Sequence, residues 1–352
     1  IGAAVLGINA ASDGGAWATF INKVASDLGS GKEVLVFLAG SIFGGTGAAG
    51  IPTIAKLLKD GFAQYGTNLR VGAILLLPYF TFSPTATQKA TCGLYASAEN
   101  FLTNTKAALH YYADNGAELF DSMYFVGDDD MRKTGNFSVG AGTQENDAHI
   151  IDLYGAFAAA HFYRGEKGKH CYSISKNEEN KISWQDLPIS EVETKRFVQY
   201  VRFIFAYLAL VKPELNKDSG NPPWYEDYWK NRIDKKAPEV LHFDQYAEKF
   251  TRWLSQTQTY SRSVNLINPE SFKVTEKGTI IEDKFFHKLD FVERDVKKYG
   301  IDVVRTYLNS HGSDDVKGDG GFMGFGAGKR APAGTKQEFG LFLRRLYDAC
   351  EI

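Results

Sequence analysis

The sequence predicts an α/β fold with a parallel sheet, followed by a mostly helical C-terminal region. A continuous apolar run, Val34–Gly40, and a second, largely apolar run, Leu69–Leu77, alternate with segments of helical period. Such runs are typical of parallel strands that are buried on both faces. After about Phe162 the sequence changes to aromatic-rich helical patterns, which predict the C-terminal region. We therefore expect a first domain over residues 1–163 and a second over 164–352.

Composition limits the classes of function and location. Of the 352 residues, 44% are hydrophobic, which is enough for two buried cores. The formal net charge is −2 and the basic residues are dispersed, so we expect no nucleic-acid partner. The longest apolar run, Val201–Val211, is too short to span a bilayer and predicts a buried helix. The three scattered cysteines, Cys92, Cys171 and Cys350, lack metal-ligand spacing and suit a reducing cytoplasm.

Strands and helices are expected to alternate through the first domain. The expected elements are a helix over 15–30, the first strand, a helix over 51–64, the second strand, a helix over 91–115, a third strand over 122–127 and a helix over 144–162. In parallel sheets, ligands bind beyond the carboxyl ends of the strands. The loops at Ser41–Gly47, Pro78–Gln88 and Asp128–Gly142 should therefore share one rim.

The second domain should contain few strands. A long helix is expected near 191–211, followed by two aromatic-rich helices, a glycine-rich loop over 312–334 and a last helix over 335–350. The tryptophans and other rings of the aromatic-rich segments are interpreted as helix-packing residues.

The loop after the first strand has the composition of a phosphate-binding turn. It contains Gly44, Gly45, Thr46 and Gly47, and it leads directly into a helix. Glycines let the backbone approach phosphate oxygens, and the first N–H groups of a helix point toward an anion. The Thr46 hydroxyl adds a hydrogen-bond donor. The alternative is a tight strand-to-helix turn that binds nothing.

Two common nucleotide motifs fit this chain poorly. A Walker loop requires GxxxxGK[ST] after a strand, and neither Gly31-Lys32-Glu33 nor Gly328-Lys329-Arg330 satisfies it. Gly45, Gly47 and Gly50 form a literal GxGxxG. A dinucleotide site also needs an acid at the end of the next strand, where this chain has Leu75-Leu76-Leu77-Pro78.

The segment FLAGSIFGGTGAAGIPTIAKLL resembles the signature strand, loop and helix of the tubulin/FtsZ superfamily, with Phe43 in place of one glycine. LLLPYFTF, SMYFVGDDD and ENDAHIIDLYGAFAAAHF resemble the strand near the sugar, the third strand and the central helix of that family. The resemblance covers about residues 1–162 and implies a divergent, prokaryotic tubulin-like protein. The family's first phosphate loop has no counterpart after Ile1, so we expect the sequence to be part of a longer chain.

The resemblance also implies site residues and ligands. The expected nucleotide is GTP or GDP, and Mg²⁺ is a further expected ligand. The nucleotide would contact the loop glycines, Thr46 and Ala48. It would also contact Gly2 and Ala3 in the upstream turn, Thr81 near the sugar, and Asn146 and Asp147 at the base. No metal ligands among the side chains are expected. Asp186 is the candidate catalytic acid, although the family's NxDxxD-like pattern around it is not recognisable.

Three functions remain open at this point. The first is a cytoplasmic GTP-binding protein that self-associates as an oligomer or filament, and hydrolyses GTP at a site shared between two subunits. The second is a non-hydrolysing scaffold or interaction protein with the same fold, in which the nucleotide is a structural ligand or has been lost. The third is a dinucleotide-dependent oxidoreductase. Whichever of these functions holds, the C-terminal half is a candidate surface for binding another protein.

Overall fold

The computed structural model divides the chain into two compact units. The first comprises Ile1–Ile189 and Tyr260–Val264, and the second Ser190–Thr259 and Asn265–Ile352. The first unit thus extends past the boundary expected at residue 163. The structure describes residues 15–82, 98–134, 146–165, 168–173, 181–215, 217, 219–230, 232–259, 266, 272–275, 278–281, 301–310 and 335–351.

A four-stranded parallel sheet forms the centre of the first unit. Its strands lie in the order β1 (Val34–Ser41), β2 (Leu69–Leu76), β4 (Ser122–Val126) and β6 (His170–Ser173). A separate parallel pair joins β3 (Phe80–Thr81) to β5 (Arg132–Lys133) beyond the carboxyl ends of β2 and β4. The expected strands β1, β2 and β4 are confirmed. The sequence predicts no strand in the segment that contains β6.

Helices cover both faces of this sheet. They are α1 (Ala16–Gly29), α2 (Gly45–Gly61), α3 (Phe101–Leu119) and α4 (Ile150–Arg164). The helix expected from residue 51 begins six residues earlier, directly in the glycine-rich loop. The helix expected from residue 144 begins at Ile150, because the His149 side chain caps it by accepting a hydrogen bond from the Ile151 N–H.

Alternate residues of β2 bind the two helical layers together. Leu69, Val71, Ala73 and Leu75 pack in one buried cluster with residues of α1, α2 and α3. On the opposite face, a Cβ at Gly72 would lie 2.7 Å from the Phe162 ring of α4. Gly72 therefore allows α4 to approach the sheet closely, and β2 is buried on both sides as its apolar run predicts.

The second unit is mainly helical, and the expected helices are found. Its elements are α5 (Glu191–Ala206), a π-helical segment (Tyr207–Val211), α6 (Lys212–Leu215), α7 (Pro223–Tyr228), α8 (Pro238–Thr259), α9 (Ile301–Ser310) and α10 (Thr335–Asp348), with an antiparallel pair β7 (Phe272–Thr275) and β8 (Gly278–Ile281). The loop expected over 312–334 lies outside the described residues.

Aromatic side chains fill the core of the second unit. Trp224 stacks on Phe342 with ring centroids 5.7 Å apart, and Trp229 meets the same ring edge-on at 5.4 Å. Both tryptophans are buried, which confirms their interpretation as packing residues. Within the described parts of both units, no helix combines the length and the apolar character needed to cross a membrane.

Candidate functional site

The candidate loop lies between the carboxyl end of β1 and the start of α2. Gly44 has extended backbone angles (φ −101°, ψ 159°) and is the N-cap of α2, without a capping side chain. The first intrahelical bond runs from the Ala48 N–H to the Gly44 carbonyl at 3.2 Å. The N–H groups of Gly45, Thr46 and Gly47 therefore precede the hydrogen-bond ladder of the helix.

The structure explains the presence of glycine at some positions of this loop but not at others. A Cβ at Gly47 would lie 2.2 Å from the Ser41 carbonyl oxygen, so the fold itself requires glycine there. A Cβ at Gly45 would meet nothing within 4 Å, and neither Gly44 nor Gly45 has a positive φ. Packing and backbone conformation thus explain Gly47 but leave Gly45 without a structural reason.

The electrostatic surroundings of the loop suit an anion. The first turn of α2 contains no acidic residue. Gly45 and Thr46 are exposed, and Gly47 and Ala48 are partly exposed. The helix dipole places partial positive charge at this end of α2, where a negative ligand is stabilised. The resulting site can bind a phosphate with backbone N–H groups and one hydroxyl.

An aromatic cluster lies beneath the loop. The Phe43 ring is 5% exposed, and its centroid lies 4.5 Å from that of Phe101 and 5.8 Å from that of Phe80. The Asn104 side-chain amide donates a 3.1 Å hydrogen bond to the Phe43 carbonyl. Phe43 therefore anchors the loop to the first turn of α3.

The rim next to β2 and β4 contains a buried pair that the sequence did not reveal. The His149 Nε2 lies 3.6 Å from the Asp128 Oδ2, and their side chains are 6% and 2% exposed. The His149 ring also lies 5.0 Å from that of Tyr79. Asp128 belongs to the third predicted rim loop and Tyr79 to the second, so His149, which caps α4, contacts residues of two of the three predicted rim loops.

Three of the other expected nucleotide contacts, Thr81, Asn146 and Asp147, lie at or near this rim. Thr81 belongs to β3, and its carbonyl accepts hydrogen bonds from the Thr134 N–H at 2.8 Å and hydroxyl at 3.2 Å. Asn146 is partly exposed and Asp147 exposed, in the irregular segment before α4 rather than in its first turn. Gly2 and Ala3 lie outside the described residues.

Asp186 has a structural role in its own turn. It ends a 3-10 turn (Trp184–Asp186), and its Oδ2 accepts hydrogen bonds from the Ser183 N–H and hydroxyl, both at 2.7 Å. This reciprocal arrangement is a capping box, which the Ser-x-x-Asp spacing could have indicated from the sequence. The carboxylate is partly exposed.

Metal binding through side chains has no candidate in the residues that the structure describes. Among them, no group of three or more His, Cys, Asp or Glu side chains is arranged to hold an ion.

Comparisons with protein-family models, with curated proteins and with solved structures find no match to this chain.

Proposed function

We propose that this chain is a tubulin-like GTP-binding protein whose phosphate site is the loop from Ser41 to Gly47. The observation that carries the proposal is the start of α2. Gly45, Thr46 and Gly47 present N–H groups ahead of the first intrahelical bond, at the end of a parallel strand. The space around Gly45 is consistent with it, because a Cβ there would meet no protein atom within 4 Å and the loop is open at this position.

Guanine selectivity and self-association rest on the resemblance to the tubulin/FtsZ superfamily. A carboxylate such as Asp147 can accept hydrogen bonds from both the ring N–H and the exocyclic amine of guanine. Adenine lacks this donor pair. Asp147 is exposed, in the irregular segment before α4. A second copy of the chain would complete the site in the filament or oligomer.

Hydrolysis at such a site would depend on positioning and electrostatic stabilisation. The backbone N–H groups of the loop would stabilise charge on the phosphates. An acid from the neighbouring subunit would orient the attacking water. Mg²⁺, when bound, would neutralise part of the phosphate charge.

The first test is the nucleotide content of the purified protein, released by denaturation and identified by chromatography.

The second test compares the GTP affinities of Gly45→Leu and Gly61→Leu. Both glycines lie on α2 and have no atom within 4 Å of an added Cβ, but they lie at opposite ends of the helix. We expect Gly45→Leu to abolish GTP binding with an unchanged circular dichroism spectrum, and Gly61→Leu to bind normally. Normal binding by both variants would reject the phosphate site.

Competition between GTP and ATP tests the base assignment separately. We expect GTP to bind more tightly, and Asp147→Ala to reduce the preference. Equal affinities would reject the roles of Asn146 and Asp147 but not the phosphate site.

A third test measures GTPase activity per milligram of protein over a range of protein concentrations. Specific activity that rises with protein concentration would support the shared active site, and constant specific activity in a monomer would reject it.

One observation favours a non-hydrolysing scaffold as the second candidate. The Asp186 carboxylate already caps its own turn through Ser183, so the candidate catalytic acid has a complete structural explanation. In this case the nucleotide would bind tightly and stabilise the fold without turnover. Tight GTP binding with no hydrolysis at any protein concentration would favour this function.

A further inference from the structure

The peptide between Phe43 and Gly44 is held in one orientation from outside the loop. The Asn104 Nδ2 donates to the Phe43 carbonyl oxygen at 3.1 Å, across 61 positions of sequence. In a trans peptide the N–H points away from the preceding carbonyl. With the Phe43 carbonyl directed at α3, the Gly44 N–H is therefore directed away from α3.

Packing of the Phe43 ring also restricts the conformation of residue 43. Its closest ring contact is Phe101, in the same first turn of α3 as Asn104. The ring is buried, so residue 43 cannot rotate without exposing it to water. A glycine at this position would have no such anchor, and the loop would be free to change its peptide orientation.

We propose that Asn104 is a positioning residue for phosphate binding. By holding the Phe43 carbonyl, it adds the Gly44 N–H to the N–H groups of Gly45, Thr46 and Gly47 that face the phosphate. Asn104 acts through the backbone and does not contact the nucleotide. This inference rests on the proposed function, because it assumes that the loop binds phosphate.

The test compares three variants of the full chain. Asn104→Ala removes the donor, and Asn104→Asp keeps the shape but replaces the amide donor with a carboxylate. Asn115→Ala is the matched control, since the Asn115 amide bonds only its own helix at Tyr111. We expect both Asn104 variants to weaken GDP binding about tenfold, the effect of one displaced hydrogen bond, with Asn115→Ala unchanged.

Two further measurements separate positioning from general stability. Binding of guanosine, which has no phosphate, should be the same in the wild type and in Asn104→Ala. In the nucleotide-free protein, amide hydrogen exchange over residues 41–47 should be faster in Asn104→Ala, while exchange in β1 and α2 stays as in the wild type. Equal GDP affinities, or an equal loss for guanosine, would overturn the inference.

The binding measurements distinguish an error in the proposed function from an error in the role of Asn104. A wild-type protein that binds neither GDP nor GTP would refute nucleotide binding and the positioning role together. Wild-type GDP binding with an unaffected Asn104→Ala variant would refute the positioning role alone.

Discussion

The Asp121 carboxylate accepts a 2.7 Å hydrogen bond from the Lys59 Nζ, which joins the last turn of α2 to the residue before β4. The same oxygen accepts a 2.7 Å bond from the Val71 N–H, and Lys169 lies 3.3 Å from the other oxygen. Burial raises the pKa of the Asp121 carboxyl, but the bonds and charges of Lys59, Val71 and Lys169 outweigh it, so the net pKa is lowered.

Asp121 should therefore stabilise the first unit at neutral pH. Because its folded pKa is lowered, its contribution is complete above the unfolded value of about 3.9 and is lost as the pH falls through the folded pKa. We expect Asp121→Asn to lower the free energy of unfolding by about 1–2 kcal/mol at pH 7. The difference from the wild type should shrink below about pH 4. Urea denaturation at several pH values measures both effects.

The control for this prediction is Asp60→Asn. Asp60 forms an exposed pair with Lys56 at 3.3 Å on the same helix, with both side chains about two-thirds exposed. Such pairs contribute about 0–0.5 kcal/mol. Equal losses in the two variants would show that the Asp121 network contributes no more than a surface ion pair.

Gly72→Ala should destabilise the first unit through the contact between β2 and α4. The added methyl would lie 2.7 Å from the Phe162 ring, which is fully buried and cannot move aside. We expect a loss of about 1–3 kcal/mol in thermal or urea unfolding. Gly116→Ala is the matched control, because its added Cβ would come too close only to the flexible end of Met123, at 2.8 Å, and would make an ordinary contact with the Tyr112 Cβ at 3.9 Å. A Gly72→Ala variant as stable as Gly116→Ala would contradict the predicted packing.

His149→Ala should cost about 1 kcal/mol of stability, since it removes the N-cap of α4. The His149 Nδ1 accepts from the Ile151 N–H at 3.3 Å, and the Asp152 carboxylate accepts from the His149 N–H at 3.1 Å. His149→Asn should recover much of the loss, because asparagine is a preferred N-cap residue. If the Asn variant unfolds as easily as the Ala variant, the contact with Asp128 matters more than the cap.

Asp186→Asn and Asp186→Ala should differ in their free energy of unfolding. The comparison separates the capping role of Asp186 from a catalytic role. Asparagine can still accept hydrogen bonds from Ser183, so it should preserve stability, whereas alanine should cost about 1 kcal/mol. If Asp186 also orients the attacking water, both variants should lose GTPase activity while binding GTP normally. GTPase activity of Asp186→Asn that equals that of the wild type would leave the residue with the cap alone.

Local patterns predicted the parts of the fold that depend on burial in a continuous run. β1 and β2 are largely apolar, with Arg70 as the charged exception in β2, and the bounds expected from the sequence agree with the structure within one residue. β6 has only four residues, His170–Ser173, and becomes a strand because it pairs with β4. No local pattern in so short and polar a segment indicates that pairing.

The candidate site was predictable where it is contiguous in sequence, and not where it depends on contacts between distant segments. The loop from Gly44 to Gly47 lies at a strand end and a helix start, as its composition predicts. The contact between Asp128 and His149 joins residues 21 positions apart, and depends on how α4 packs against the sheet. Histidine is not a usual N-cap residue, so no local pattern indicated that α4 begins at Ile150.

The fold requires glycine at Gly47 but not at Gly45, and this difference has a consequence for proteins that descend from this sequence. A protein that kept this fold but lost its ligand would no longer be constrained at Gly45, and side chains could accumulate there by drift. Gly47 would persist in such a protein, because any Cβ would collide with the Ser41 carbonyl. Among divergent relatives, the residue at the first of these positions would therefore report on ligand binding, and the residue at the second only on the fold.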